Sequence, residues 1–173
     1  MTQKGLINKI VETAGVTDCN PNWTPASTAP LGSDPDGEEM DETWNHRSII
    51  GMLLHLTTNT RPDLAFAVSQ AARFCHNPKK SHATGVKTII RHLHRTSDKG
   101  MIVKPTGILG LENYVDASFA GNYGVEPAES PVSVKSRTGV IVLLAGCPLT
   151  WKSCLQSSVA LSTFHSECAG LSH

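Results

Sequence analysis

As far as Gly100, apolar positions recur along the chain with helical spacing. In Lys4 to Ala14, Leu6, Ile7, Ile10, Val11 and Ala14 share one helical face, and Gly15 stands where a helix stop belongs. From Cys19 to Asp41 the chain is rich in Pro, Thr, Asp and Gly with almost no periodicity, which predicts a linker or an extended surface strap. Three short amphipathic helices are then predicted. Ile49, Ile50, Leu53, Leu54 and Leu56 give the first its apolar face, with Thr57 to Asn59 marking its end. The second opens at Thr60 as a cap, with Pro62 in its first turn, and carries Leu64, Ala67, Val68, Ala71 and Phe74. The third starts near Ser81, presents Val86, Ile89, Ile90 and Leu93, and ends at Asp98-Lys99-Gly100. Helices this short need a partner surface.

Beyond Gly100 the texture is that of strands. Met101 to Val103 and Leu111 to Ala117 are expected as strands, and Asn122 to Ser136 as a loop. Gly139 to Ala145 is a continuous apolar run, the pattern of a strand buried on both faces. Gly146-Cys147-Pro148 predicts a turn, Leu149 to Ser153 a return strand, and the pattern becomes helical again from Ser162.

Composition adds limits rather than identity. A chain of 173 residues, 39% hydrophobic and 17% charged, suits one ordinary domain or two small ones and lies outside the disordered range. Its formal net charge of zero argues against a free-standing nucleic-acid binder. The charge is uneven, however: acidic residues crowd between Asp34 and Glu42, and Lys79 to Lys104 is rich in Lys, Arg and His. The five cysteines form no C-x-x-C pair, and an odd number cannot all pair internally. No apolar run approaches the ~20 residues of a membrane span. These features predict an intracellular protein, cytoplasmic or nuclear, with no membrane partner and no small-molecule substrate. The histidines, His76, His82, His92 and His94 among them, show no zinc spacing.

Two carboxylates stand out by position. Asp116 follows an apolar strand, and Glu167 lies about one turn into the last helix, after the capping candidates Ser162 and Thr163. A strand-end Asp, a hairpin and a helix bearing Glu are an arrangement that can bring both side chains to one spot. Such pairs hold Mg²⁺, and two ions about 3.5–4 Å apart hydrolyse phosphodiesters.

The stretch Asn45-His46-Arg47-Ser48-Ile49-Ile50-Gly51-Met52-Leu53-Leu54-His55-Leu56, then Thr60-Arg61-Pro62-Asp63-Leu64-Ala65-Phe66-Ala67-Val68 and Ile90-Arg91-His92-Leu93, resembles the region after the reverse transcriptase core in copia-type retrotransposon Pol polyproteins. Tyr114-Val115-Asp116-Ala117, Ser136-Arg137-Thr138-Gly139, Trp151-Lys152-Ser153 and Ser162 to Glu167 resemble the ribonuclease H domain of the same family. The resemblance implies an α/β fold in which a helical connection segment precedes a truncated ribonuclease H-like mixed sheet. It divides the chain into a reverse transcriptase C-terminal segment and linker over 1–44, a helical connection region over 45–99, and an incomplete ribonuclease H-like domain over 100–173.

It further implies that Asp116 and Glu167 are catalytic metal ligands for Mg²⁺, and that Ser118 and Asn122 touch the substrate. The partners would be an RNA–DNA hybrid, told apart from DNA by its ribose 2′-OH, and the remainder of the Pol polyprotein. The Tyr-x-Asp-Asp turn of the polymerase site is absent from the sequence, and the family's later carboxylates are expected beyond His173. Activity of this chain alone is therefore not expected, and Mg²⁺ binding should be weak or absent. The alternative is a non-catalytic retroelement remnant or a nucleic-acid or protein interaction module. The family usually shows Tyr where this chain has His46, His55, His92 and Cys168, an aromatic at Val140, and acidic and small residues at His165 and Ser166. A single codon transition converts Tyr to His or Cys, the pattern expected of unselected decay.

Overall fold

The computed structural model describes residues 1–40 and 44–172. Asp41, at the end of the expected strap, Glu42 of the acidic run, and His173 lie outside the described residues. The chain forms two compact units, Met1–Met101 and Ile102–His173. The first is helical: α1 (Lys4–Thr13), α2 (His46–Asn59), a 3-10 turn (Pro62–Leu64), α3 (Ala65–Ala72) and α4 (Lys80–Arg95). The second holds β1 (Leu111–Ser118), β2 (Arg137–Leu144), β3 (Cys147–Leu155) and α5 (Thr163–Leu171).

The apolar stripes predicted for the helices meet in one core. Ile7, Ile10 and Val11 of α1, Ile49, Ile50, Leu53 and Leu56 of α2, and Val86, Ile89, Ile90 and Leu93 of α4 are buried together. Each such side chain contributes about 1.5–3 kcal/mol when fully removed from water. Helix α1 thus shares its core with the helices of 45–99. The division between the units falls between Met101 and Ile102. Leu54 stays exposed on α2, one position off the buried stripe. Thr60 does not cap the second helix: it closes α2, and its hydroxyl donates to Gln3 Oε1 at 2.8 Å. Asn45 caps α2 by accepting from the Ser48 amide at 2.9 Å.

The described part of the strap is pinned to the start of α4. The Lys80 amide donates to the Glu38 carbonyl at 2.9 Å, and Ser81 Oγ donates to Asp34 at 2.7 Å. Lys79 pairs with Glu39 and Lys80 with Glu38. His82 is wholly committed: Nδ1 accepts from the Lys79 amide at 2.9 Å, Nε2 meets the Gly32 carbonyl at 3.0 Å, and its ring stacks on Phe74. That bonding fixes the proton on Nε2 and makes His82 structural.

Arg61 clamps the other end of α4. Its guanidinium, 2% exposed, makes a bidentate pair with Asp63 at 2.9 and 2.7 Å. It also donates to the Thr96 carbonyl at 3.2 Å and hydroxyl at 2.7 Å. His92 Nε2 stands 3.5 Å from Asp63. Burial pushes the Asp63 carboxyl up, but the hydrogen bonds and charge of Arg61, joined by His92, outweigh it and hold the group below its ordinary value.

The sheet is antiparallel throughout the described residues, in the order β1-β2-β3, rather than mixed. Ala145 (φ 52°) and Gly146 (φ 76°) form the β2–β3 turn, so Cys147 and Pro148 belong to β3 instead of the turn. Pro148 is tolerated because β3 is an edge strand with a register shift opposite Val142 and Leu143. Strand β2 is half-buried for most of its length, not sealed on both faces, because α5 covers only part of the sheet. Met101 to Val103 is no strand: Met101 exchanges hydrogen bonds with Met1 at 3.0 and 2.7 Å.

Arg61→Ala is expected to destabilise the helical unit by about 3 kcal/mol, because it strands buried acceptors around a half-exposed carboxylate. Arg61→Lys should fail to restore it, since an ammonium lacks the planar fork. Denaturant melts of the three proteins test this. A second expectation concerns His46, which is 4% exposed, stacks on Trp44, and has no hydrogen-bond partner for either ring nitrogen among the described residues. Burial, the largest cause, lowers its affinity for a proton. The unfolded chain takes up a proton near pH 6.5 that the folded chain refuses, so stability falls as pH drops below that value. His46→Phe should raise stability by about 1–2 kcal/mol at neutral pH and abolish this loss. The Asp63 contribution should persist, present above its unfolded value of 3.8 and lost as pH falls through the lower folded one. Urea midpoints measured from pH 4 to 8 read the His46 contribution, and a variant melting identically at every pH refutes it.

Candidate functional site

The sheet unit holds its helix with polar bonds. Gln156, 2% exposed, donates through Nε2 to Thr138 Oγ1 at 3.0 Å and to the Ser166 carbonyl at 2.8 Å. Its amide donates to the Ser136 carbonyl at 2.9 Å. One side chain thus joins β2 to α5. The buried Ser136 accepts from the Ala120 amide at 3.3 Å, fixing the turn that follows β1. Ser162 caps α5 by accepting from the His165 amide at 3.1 Å, which selects it over Thr163. At Gly170, a methyl group would come within 3.2 Å of Val115 and 3.5 Å of Thr138, so α5 lies close against β1 and β2.

This contact decides where the predicted carboxylates stand. Val115 faces α5 and Ala117 is buried, so strand alternation turns Asp116 to the opposite face of β1, with Tyr114 and Glu112. Asp116 pairs in register with Gly139 and is exposed. Glu167 is exposed on α5, next to the buried Ser166. The two carboxylates are thus carried by neighbouring elements, and α5 packs directly on β1. Neither makes a hydrogen bond or ion pair among the described residues, and no group of three or more His, Cys, Asp or Glu converges there.

Ser118 and Asn122 separate. Ser118 is exposed at the end of β1. Asn122 is 2% exposed; its Nδ2 donates to the Val132 carbonyl at 3.4 Å, and its own carbonyl accepts from Val125 and Glu126. It holds the loop before β2 together. Sequence reasoning missed Gln156, Ser136 and Arg137 as organisers. The signal available was Ser136-Arg137-Thr138-Gly139: a polar triplet at the mouth of an apolar strand needs buried partners.

The cysteines remain unpaired among the described residues. No helix among them is long and apolar enough to cross a membrane.

No protein-family model matches the chain, and no solved structure does. Among named proteins it is 29% identical over 167 residues to a retrovirus-related Pol polyprotein from transposon RE1 of Arabidopsis thaliana, covering 96% of this chain and 11% of that protein. It is 31% identical over 173 residues to the corresponding polyprotein from transposon TNT 1-94 of Nicotiana tabacum, covering 96% and 12%. It is also 34% identical over 125 residues to secreted RxLR effector protein 161 of Plasmopara viticola, covering 72% of this chain and 82% of that one. The chain thus spans about a tenth of the length of the two polyproteins. With the likeness running through both the helical and the sheet unit, the chain belongs to the family of retrovirus-related transposon Pol polyproteins.

Proposed function

We propose that the chain is a segment of a copia-type Pol polyprotein whose parent reverse-transcribes RNA and degrades the RNA strand of an RNA–DNA hybrid by two-metal hydrolysis. In this reading the sheet unit is the first part of a ribonuclease H-like domain, and Asp116 and Glu167 are two of its metal ligands. The observation that carries it is the succession β1-β2-β3-α5, with Asp116 on β1 and Glu167 on the helix packed against β1 and β2; because Asp116 faces away from α5, a shared metal site requires a shift of β1 or α5 in the parent.

Both carboxylates are exposed and free of protein partners among the described residues, and hard oxygen donors suit Mg²⁺. The donor chemistry fits the ion, but two carboxylates do not make a two-metal cage. The parent would draw the remaining ligands from elsewhere in the polyprotein. Bound Mg²⁺ supplies charge neutralisation and water activation; this chain's residues contribute only its orientation. Gln156 and Thr138 seat α5, and α5 in turn carries Glu167 along β1. Ser118 keeps a free surface position for the hybrid, whereas Asn122 acts through the loop it braces.

A second reading, a non-catalytic interaction module, is favoured by the closed apolar core of the helical unit.

The carboxylate assignment is tested with Mn²⁺ as a paramagnetic probe. Amides around Asp116 and Glu167 should broaden at roughly millimolar metal, as expected of a site with few protein ligands. Asp116→Asn and Glu167→Gln should each weaken the effect, and purified chain should leave an RNA–DNA hybrid intact. Absence of broadening at both positions removes the ligand assignment. Metal-dependent cleavage that Asp116→Asn abolishes would show instead that the chain is a nuclease by itself.

A further inference from the structure

The first turn of α2 has no acidic residue to meet the positive end of its helix dipole. Asn45 caps it by accepting from the Ser48 amide. The amides of His46 and Arg47 have no acceptor among the described residues, and neither does the exposed Arg47 guanidinium. These residues line a cleft of about 450 Å³, whose walls also include Trp44, Cys75 and Asn77. Two adjacent amides at a helix start and a guanidinium are the donor set that takes a phosphate or sulfate group.

His46 is a second, independent sign of a ligand. It is 4% exposed, lines the cleft, and holds both ring nitrogens without a hydrogen-bond partner among the described residues. An imidazole in that state has lost its water and gained nothing in return. An anion in the cleft would supply the negative charge that favours its protonated form. The described groups around it do not. His82, on α4, is spent on the Lys79 amide and the Gly32 carbonyl, and Glu39, on the strap, pairs with Lys79. Burial pushes the Cys75 thiol up against the charge of Arg47, so it stays a neutral thiol at neutral pH.

We propose that the start of α2 binds a small tetrahedral oxyanion, inorganic phosphate or the phosphate group of a free small molecule, through the amides of His46 and Arg47 and the Arg47 guanidinium. His46 forms the wall behind the anion and couples binding to pH. A bound anion raises the affinity of His46 for a proton, so by reciprocity the anion binds more tightly as pH falls through the range where His46 titrates. One free cation beside a cleft suits a single anionic group; a polymer backbone needs a row of cations. Asp116 and Glu167 take no part, since the helical unit supplies every contact.

The test is an NMR titration of the full chain with sulfate, which keeps its charge from pH 5 to 8, at ionic strength held constant with chloride. The His46 and Arg47 amides should move saturably, with a dissociation constant of about 1–10 mM. Affinity should rise roughly threefold or more from pH 7.5 to 5.5, and the His46 ring should titrate at a higher pH with sulfate present. Arg47→Gln, at an exposed position, should weaken binding about tenfold. His46→Phe should bind with an affinity that no longer changes with pH. Displacement of sulfate by glycerol phosphate as well as by inorganic phosphate assigns the site to phosphorylated compounds; displacement by inorganic phosphate alone assigns it to the free ion. The proposal is overturned if neither amide moves saturably by about 100 mM sulfate, if Arg47→Gln binds as well as the unaltered chain, or if sulfate leaves the His46 titration in place. Oligothymidylate displacing sulfate at far lower concentration also overturns it, because the site would then belong to a polymer.

Discussion

A buried guanidinium organises the helical unit. Burying the guanidinium of Arg61 obliges the fold to supply acceptors for its donors. Asp63 fills the fork from two residues away, and Thr96 supplies a carbonyl and a hydroxyl from the far end of α4. Pro62 stands between the two charged residues and starts the 3-10 turn that leads into α3. The junction of α2 with α3 is thereby tied to the last turn of α4. The strap fixes the first turn of the same helix through Glu38, Glu39 and Gly32. With both ends of α4 held by polar contacts, its apolar stripe has one register against α1 and α3. Hydrophobic burial provides the driving force, and these directional bonds choose among the packings it would allow.

The sheet unit solves the same problem with neutral groups. The face of α5 turned to the sheet presents Ser166 and Gly170, and Phe164 and Leu171 remain exposed. Little apolar surface therefore decides where the helix sits. Gln156 takes that role by bridging Thr138 and the Ser166 carbonyl, and the missing side chain at Gly170 lets the backbone approach Val115. A carboxylate on α5 is positioned relative to β1 through these contacts. Ser136 and Thr138 thus matter through their bonds at the entrance to β2.

Periodicity made α1, α2 and α4 legible, because each buries one stripe and exposes the rest. It was less informative wherever the answer depended on a partner distant in sequence. Met101 to Val103 has the composition of a strand, but no strand lies beside it. The apolar run of β2 looks sealed on both faces, yet a central strand is only as buried as the elements stacked on it. Thr60 stands where a cap belongs, and its hydroxyl goes to Gln3 instead. Asp116 and Glu167 were legible as a strand-end Asp and a first-turn Glu on adjoining elements. The alternation that turns Asp116 away from α5 was not, since it depends on which face of β1 the helix chooses. Gln156 carried no local signal at all, being one polar residue between a strand and a loop.

The histidines that stand where the resemblance leads one to expect Tyr fall into different environments. At His55 the side chain is in water, and an imidazole there costs nothing. Among the described residues, both ring nitrogens of His46 and Nδ1 of His92 are buried without hydrogen-bond partners. A phenol carries its one polar atom at the tip, where it can reach out of a core; an imidazole carries two within the ring and loses their hydration on burial. The cost of the same replacement thus runs from none at the surface to a substantial fraction of a domain's stability at a fully buried site. Selection for a stable fold would confine the change to positions like His55. Its presence at His46 and His92 as well is what relaxed selection on this chain predicts, and intact sibling copies from the same genome carrying His at both buried positions would refute that history.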